Sequence, residues 1–159
     1  MQNYINNTYE ELLDKELEKA PPNFLFAIQS LSNGDINTCI DVLQNAIKDF
    51  EINGSYWTGP TYCCLAYCYR QLGYWKEAIE IAKKGEQFGL SISGYWYYHD
   101  VIVNAMNFID RVDEALINAR DAIRFYRERN SPGNAAYFLS SKSNILKQLA
   151  STASKDLST

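Results

Sequence analysis

The sequence predicts an all-α chain, and three observations carry that expectation. Glycine (8) and proline (4) are scarce among 159 residues, so few tight turns interrupt the chain. Apolar residues recur at helical spacing, as in Ile36, Ile40, Leu43, Ile47 and Phe50. No run of alternating β-branched residues flanked by hairpin turns occurs.

The elements follow in order. Residues 8–19 open with Thr8 and Glu11 at capping-box spacing and carry Leu12, Leu13 and Leu17 as one apolar stripe. Pro21-Pro22 stops that helix, and Pro22 suits the first turn of the next, over 22–33. The "SNGD" turn at 32–35 precedes a helix over 36–50, and "NGSYWTGP" at 53–60 reads as a loop. A helix is expected from Pro60 to Leu72, broken by Gly73, and another over 75–88, ended by Gly89. "SISG" at 91–94 reads as a loop before helices over 95–109 and 112–129. Ser131 and Pro132 form a boundary with an N-cap and a first-turn proline, ahead of a last helix over 133–150. The tail, 151–159, is small and polar and is expected to be disordered. This gives about eight helices in successive antiparallel pairs within one domain, 1–150.

Hydrophobic residues at 47% and charged residues at 21% fit an ordered globular chain with a substantial core. Aromatics reach 14%, with 12 tyrosines, an excess that must be buried or used in contact. A net charge of −4 and a pI near 5.0 argue against nucleic acid or anionic membranes as partners. No window approaches the roughly 18 apolar residues of a membrane span, and "MQNYINNTYEELL" lacks a basic leader, so the expected location is the cytoplasm. Cys39, Cys63, Cys64 and Cys68 are clustered rather than spread as in a disulfide scaffold, which points to reduced, partly buried thiols.

Three hairpins align on their turns, Gly34-Asp35-Ile36, Gly73-Tyr74-Trp75 and Asp110-Arg111-Val112, with offsets of 39 (34 to 73) and 37 (73 to 110). Five residues after each turn's first position stand Cys39, Ala78 and Ala115; twelve after stand Ala46, Gly85 and Ala122; seven before stand Ala27, Ala66 and Val103. Small residues recur where two helices would cross closely, because a bulky side chain there would push the axes apart.

This pattern resembles the tetratricopeptide repeat family, most closely in the middle copy. There Tyr62, Leu65, Ala66, Tyr69, Gly73, Trp75 and Ala78 stand at its signature positions, with Tyr62 in place of a Trp and Leu90 where a Pro is usual. The copies would cover about 20–53, 59–92 and 96–130, with a closing helix at about 133–150. The unit is longer here than the family's usual 34 or so residues. The resemblance implies a right-handed superhelical α-solenoid with flanking helices at both ends, whose first helices line a concave groove. Carried onto this chain, groove positions fall on Phe24 and Ile28; on Tyr67, Arg70 and Gln71; on Tyr97, Asp100, Asn104, Asn107 and Phe108; and on Tyr137. Phe24 and Ile28 stand where members that clamp an acidic C-terminus carry Lys and Asn, so that mode is not expected.

Catalytic signals are weak. His99 is the one histidine, and no nucleophile elbow, phosphate-binding glycine loop or His-Glu-x-x-His occurs. The cysteines read as small apolar packers rather than metal ligands, since zinc needs about four. Arg120, Arg124 and Arg127 share a helix face that reads first as solvated and second as a holder of an acidic partner or phosphate. Trp75 reads as structural, while Trp57 and Trp96 fit packing or partner contact equally. The expectation is therefore a non-catalytic module without a cofactor, binding a peptide or protein segment. The alternatives are a self-associating scaffold, as in a homodimer, and a small secretion-type chaperone.

Overall fold

The computed structural model describes residues 7–158. Residues 1–6, on which the expectation about a leader falls in part, and Thr159 lie outside the described residues. Among the described residues the chain is all-α, with no strand. Its helices are α1 (Tyr9–Leu17), α2 (Pro22–Ser32), α3 (Ile36–Asn53), α4 (Thr58–Gln71), α5 (Trp75–Phe88), α6 (Ser91–Phe108), α7 (Val112–Glu128) and α8 (Pro132–Ser158).

The helix ends obey local chemistry. The Thr8 hydroxyl accepts from the Glu11 amide at 3.1 Å, opening α1. Asp35 does the same for α3, accepting from the Thr38 amide at 3.2 Å. The three aligned hairpin turns are conformationally equivalent. Gly34, Gly73 and Asp110 all take positive φ, at 81°, 86° and 64°. Each is followed by an amide that reaches back five residues: Asp35 to the Ser30 carbonyl, Tyr74 to Tyr69 and Arg111 to Met106, at 2.8 to 3.0 Å. This is one left-handed C-terminal cap used three times.

Consecutive helices from α2 onward pack against one another; α4 also packs on α6, α6 on α8, and α1 on α6. The aligned small residues sit at these crossings: Ala27, Cys39, Ala66, Ala78, Ala115 and Ala122 are fully buried, as is Val103, and Ala46 and Gly85 are buried. Two apolar clusters result. One gathers Phe24, Leu43 and Trp57 around α2 to α4; the other gathers Ile102, Met106, Tyr126 and Phe138 around α6 to α8. α4 joins them, placing Cys64 and Cys68 in the first and Cys63 and Ala66 in the second.

Three expectations are corrected. Thr58, Gly59 and Pro60 form the start of α4 rather than the end of a loop. Ser91–Gly94 is the first turn of α6, not a loop. Its small residues serve a close approach: a Cβ on Gly94 would lie 3.0 Å from the Pro60 Cα of α4. The tail is also not irregular, because α8 runs on to Ser158. No proline or glycine follows Gly133 to stop it, and extending a helix is easier than starting one.

Candidate functional site: an aromatic slot walled by α1

α1 is pinned at both ends. The Tyr9 amide donates to the Arg129 carbonyl at 2.9 Å and its hydroxyl to the Ile92 carbonyl at 3.1 Å. The Tyr9 ring sits edge-on to Tyr126, 4.8 Å between centroids. The Ser131 hydroxyl donates to Glu10 at 2.7 Å. At the other end, Glu16 accepts from the Ser93 amide at 2.7 Å, the Ser91 hydroxyl at 2.9 Å and the Tyr56 hydroxyl at 2.8 Å. Burial acts to raise the Glu16 pKa, but the donors Ser93, Tyr56 and Ser91 outweigh it and hold the carboxyl below its ordinary value. Glu16 thus caps the N-terminus of α6 from a distant helix, where a carboxylate is favoured.

A cavity of about 460 Å³ opens between α1 and the helices it faces. α1 contributes Leu13 and Leu17, with Tyr9 and Glu10 at one end. α2 contributes Ile28, Leu31 and Ser32, and α4 contributes Tyr67. α6 contributes Trp96, Tyr97 and Ser93, and Asn134 of α8 completes the lining. Tyr67 contacts Trp96 and Tyr97 at 5.6 and 5.3 Å between centroids, and Trp96 contacts Tyr137 at 5.3 Å. The walls are thus apolar and aromatic, with a few polar groups at fixed places, the composition of a ligand cleft.

One turn beyond Tyr67, Arg70 meets Asp100 of α6 in a bidentate ion pair. Asp100 is fully buried and also accepts from the Asn104 amide group at 3.0 Å and from the Tyr137 hydroxyl. Burial raises the Asp100 carboxyl above its ordinary value against the opposing pull of Arg70 and Tyr137. Burial, then the Asp100 charge, raises the Tyr137 hydroxyl.

The groove residues expected from the sequence therefore divide. Ile28, Tyr67 and Tyr97 line the slot. Arg70, Asp100, Asn104 and Tyr137 form the polar cluster, where their hydrogen-bonding groups engage one another and Asn104 also donates to the Asp100 backbone carbonyl at 2.8 Å. Phe24 is fully buried against Trp57, 5.1 Å between centroids, and offers no surface; its neighbours Leu25 and Phe26 take the exposed side of α2 instead. Gln71 is exposed outside the slot. The Asn107 side-chain amide donates to Gln148 at 3.1 Å, and Phe108 stacks on Trp75 at 4.5 Å.

Sequence reasoning missed the α1 wall, Tyr9, Leu13 and Leu17. A signal existed: a nine-residue helix is too short to stand alone, so its leucine stripe required a host surface. The structure also separates the two open tryptophans, burying Trp57 and turning Trp96 to the slot. His99 is buried, stacked on Tyr95 at 4.1 Å, with Nδ1 3.2 Å from the Tyr95 carbonyl oxygen. Burial lowers its pKa, favouring the neutral ring. Cys39 and Cys68 bring their sulfurs to 3.5 Å, and the described residues contain no grouping of three His, Cys, Asp or Glu suited to a metal ion. No described helix is long and apolar enough to cross a membrane.

Comparison of the chain with family models, curated proteins and solved structures finds no match.

Proposed function

We propose that this chain is a non-catalytic interaction module of the tetratricopeptide type, acting in the cytoplasm, that holds a protein segment in the slot between α1, α2, α4 and α6. The observation that carries the reading is the slot itself: about 460 Å³ walled by Tyr67, Trp96, Tyr97, Ile28 and Leu31, with α1 as a fixed fourth side. Rigid aromatic rings give contact area at little conformational cost, and apolar side chains of a bound segment would replace water there. The repeated turn geometry and the buried small residues at the helix crossings support the repeat reading. The slot takes side chains; the Arg70–Asp100 cluster beside it holds α4, α6 and α8 in register.

The test is capture of binding proteins from native cytoplasm by wild type and by a Tyr67→Ala, Trp96→Ala variant whose fold is checked by circular dichroism. A partner held by wild type and lost by the variant is expected; a partner held equally by both sinks the reading. Leu25 and Phe26, 41 and 54% exposed on α2, favour self-association as the second reading. Light scattering across a concentration series tests it: a monomer throughout removes it.

A further inference from the structure

A second surface carries chemistry that the slot does not use. α7 presents Arg120, Arg124 and Arg127 on one face, all exposed. α8 runs beside them and contributes Leu139 and Lys142 to a cleft of about 240 Å³ with Ile123 at its base. Exposed apolar residues continue on both helices away from the 129–131 turn, since α7 and α8 run antiparallel. Leu146 and Leu149 follow Leu139 at helical spacing on α8, and Ile117 lies one turn before Arg120 on α7. These four stand between 41 and 48% exposed, uncovered by any other described helix.

The rim is cationic. Asp121 is shared between Arg120 and Arg124 at 3.3 and 3.5 Å, and Glu128 lies at the end of the cleft, 4.0 Å from Arg129. At the cleft itself, four cations (Arg120, Arg124, Arg127 and Lys142) thus face two carboxylates, on a protein whose net charge is −4; Asp113 and Glu114 lie one turn before Ile117, with Glu114 paired to Arg111. Over 132–158 of α8, the one acidic residue is Asp156, far along the helix from this cleft.

We propose that the α7–α8 cleft docks an acidic amphipathic helix of a protein partner. Leu139 to Leu149 spans ten residues, or about 15 Å and three helical turns. A partner helix with apolar residues on one face would cover Leu139, Leu146, Leu149 and Ile117, while carboxylates on its flanks met the arginines and Lys142. Charged groups that are loosely paired in the free protein become specific when a complementary face arrives. A polyanion without an apolar face would leave the leucines in water. A second copy related by a two-fold axis would set this cationic rim against its own like. The site is separate from the slot and does not depend on its occupant.

The test is fluorescence anisotropy of the full chain with a labelled synthetic helix of about four turns, leucines on one face and glutamates on both flanks. The comparator has lysine at every glutamate. The acidic probe is expected to bind, to weaken as salt rises, and to lose about tenfold or more in affinity with Arg124→Glu, Arg127→Glu. Lys142→Glu approaches from the other wall and is expected to weaken it in the same direction, while Tyr67→Ala leaves it unchanged. No binding, equal binding of the lysine probe, indifference to both charge reversals, or a loss caused by Tyr67→Ala alone would overturn the proposal. So would a dimer in light scattering that Leu146→Glu dissolves, which would give the face to a second copy.

Discussion

Arg70 and Asp100 form a two-point ion pair that ties α4 to α6: Arg70 Nη2 lies 2.7 Å from Asp100 Oδ2 and 2.8 Å from Oδ1, and Nε lies 3.0 Å from Oδ2. The carboxylate has no exposed surface, while the arginine side chain keeps 17%. Removing one partner leaves the other buried and uncompensated, at a cost of about 3–5 kcal/mol. Arg70→Met is expected to destabilise on that scale in urea unfolding. The double variant Arg70→Met, Asp100→Leu should recover much of the loss. Equal stability of single and double variants would show that the pair does not couple the helices.

Glu16 links α1 to the start of α6, and Glu16→Gln should cost about 1 kcal/mol, the scale of a lost cap. Its pH dependence has a definite sign. The folded pKa lies below the ordinary 4.5, so the unfolded chain binds the proton more tightly. The carboxylate's contribution is therefore complete above that value and fades as pH falls through the lowered one. Wild type and Glu16→Gln should differ at neutral pH and converge in acid. A difference that grows on acidification would contradict the assignment.

Gly59 of α4 meets the end of α5 with no room for a side chain, since an added Cβ would land on the Gly89 carbonyl oxygen. Backbone, not a flexible tip, would have to move. Gly59→Ala should lower stability by about 1–3 kcal/mol. A melting temperature equal to wild type would mean that the two helices part easily there.

Ala78 is fully buried on α5. Ala78→Arg would insert both volume and charge, with an expected loss above about 3 kcal/mol. Melting within a degree or two of wild type, roughly 1 kcal/mol or less, would refute the small-residue alignment.

The four thiols are free and fully buried. Burial pushes the Cys63 thiol well up, whereas hydrogen bonds from Cys64 and Cys68 hold the Cys39 thiol down, so it is the absence of exposed surface that shields all four. An aromatic disulfide reagent should label none of them in the native protein and all four after unfolding. Rapid native labelling would show that α4 opens, from α3 if Cys39, Cys64 or Cys68 reacts and from α5 and α6 if Cys63 does.

Much of the fold was legible because its signals are local. Thr8 and Asp35 cap helices through amides three residues on, and Gly34, Gly73 and Asp110 turn the chain through bonds within five residues. The spacing of small residues likewise placed the crossings, since only small side chains let two helix axes approach. Other features rest on partners far along the chain. "SISG" looked like a loop because nothing nearby caps it; Glu16, 75 and 77 residues away in sequence from Ser91 and Ser93, supplies the cap. Asp100 and Arg70 looked like open groove groups, but they sit 30 residues apart and engage each other. The slot needed α1 laid against α6, held by bonds spanning 83 residues at Tyr9 and 121 at Glu10. Apart from the first turn of α6 and the end of α8, helix and turn content follows from neighbours a few residues apart, and so the sequence alone determined it. Which faces remain open depends on desolvation and hydrogen bonding between distant helices, and only the tertiary structure decided that.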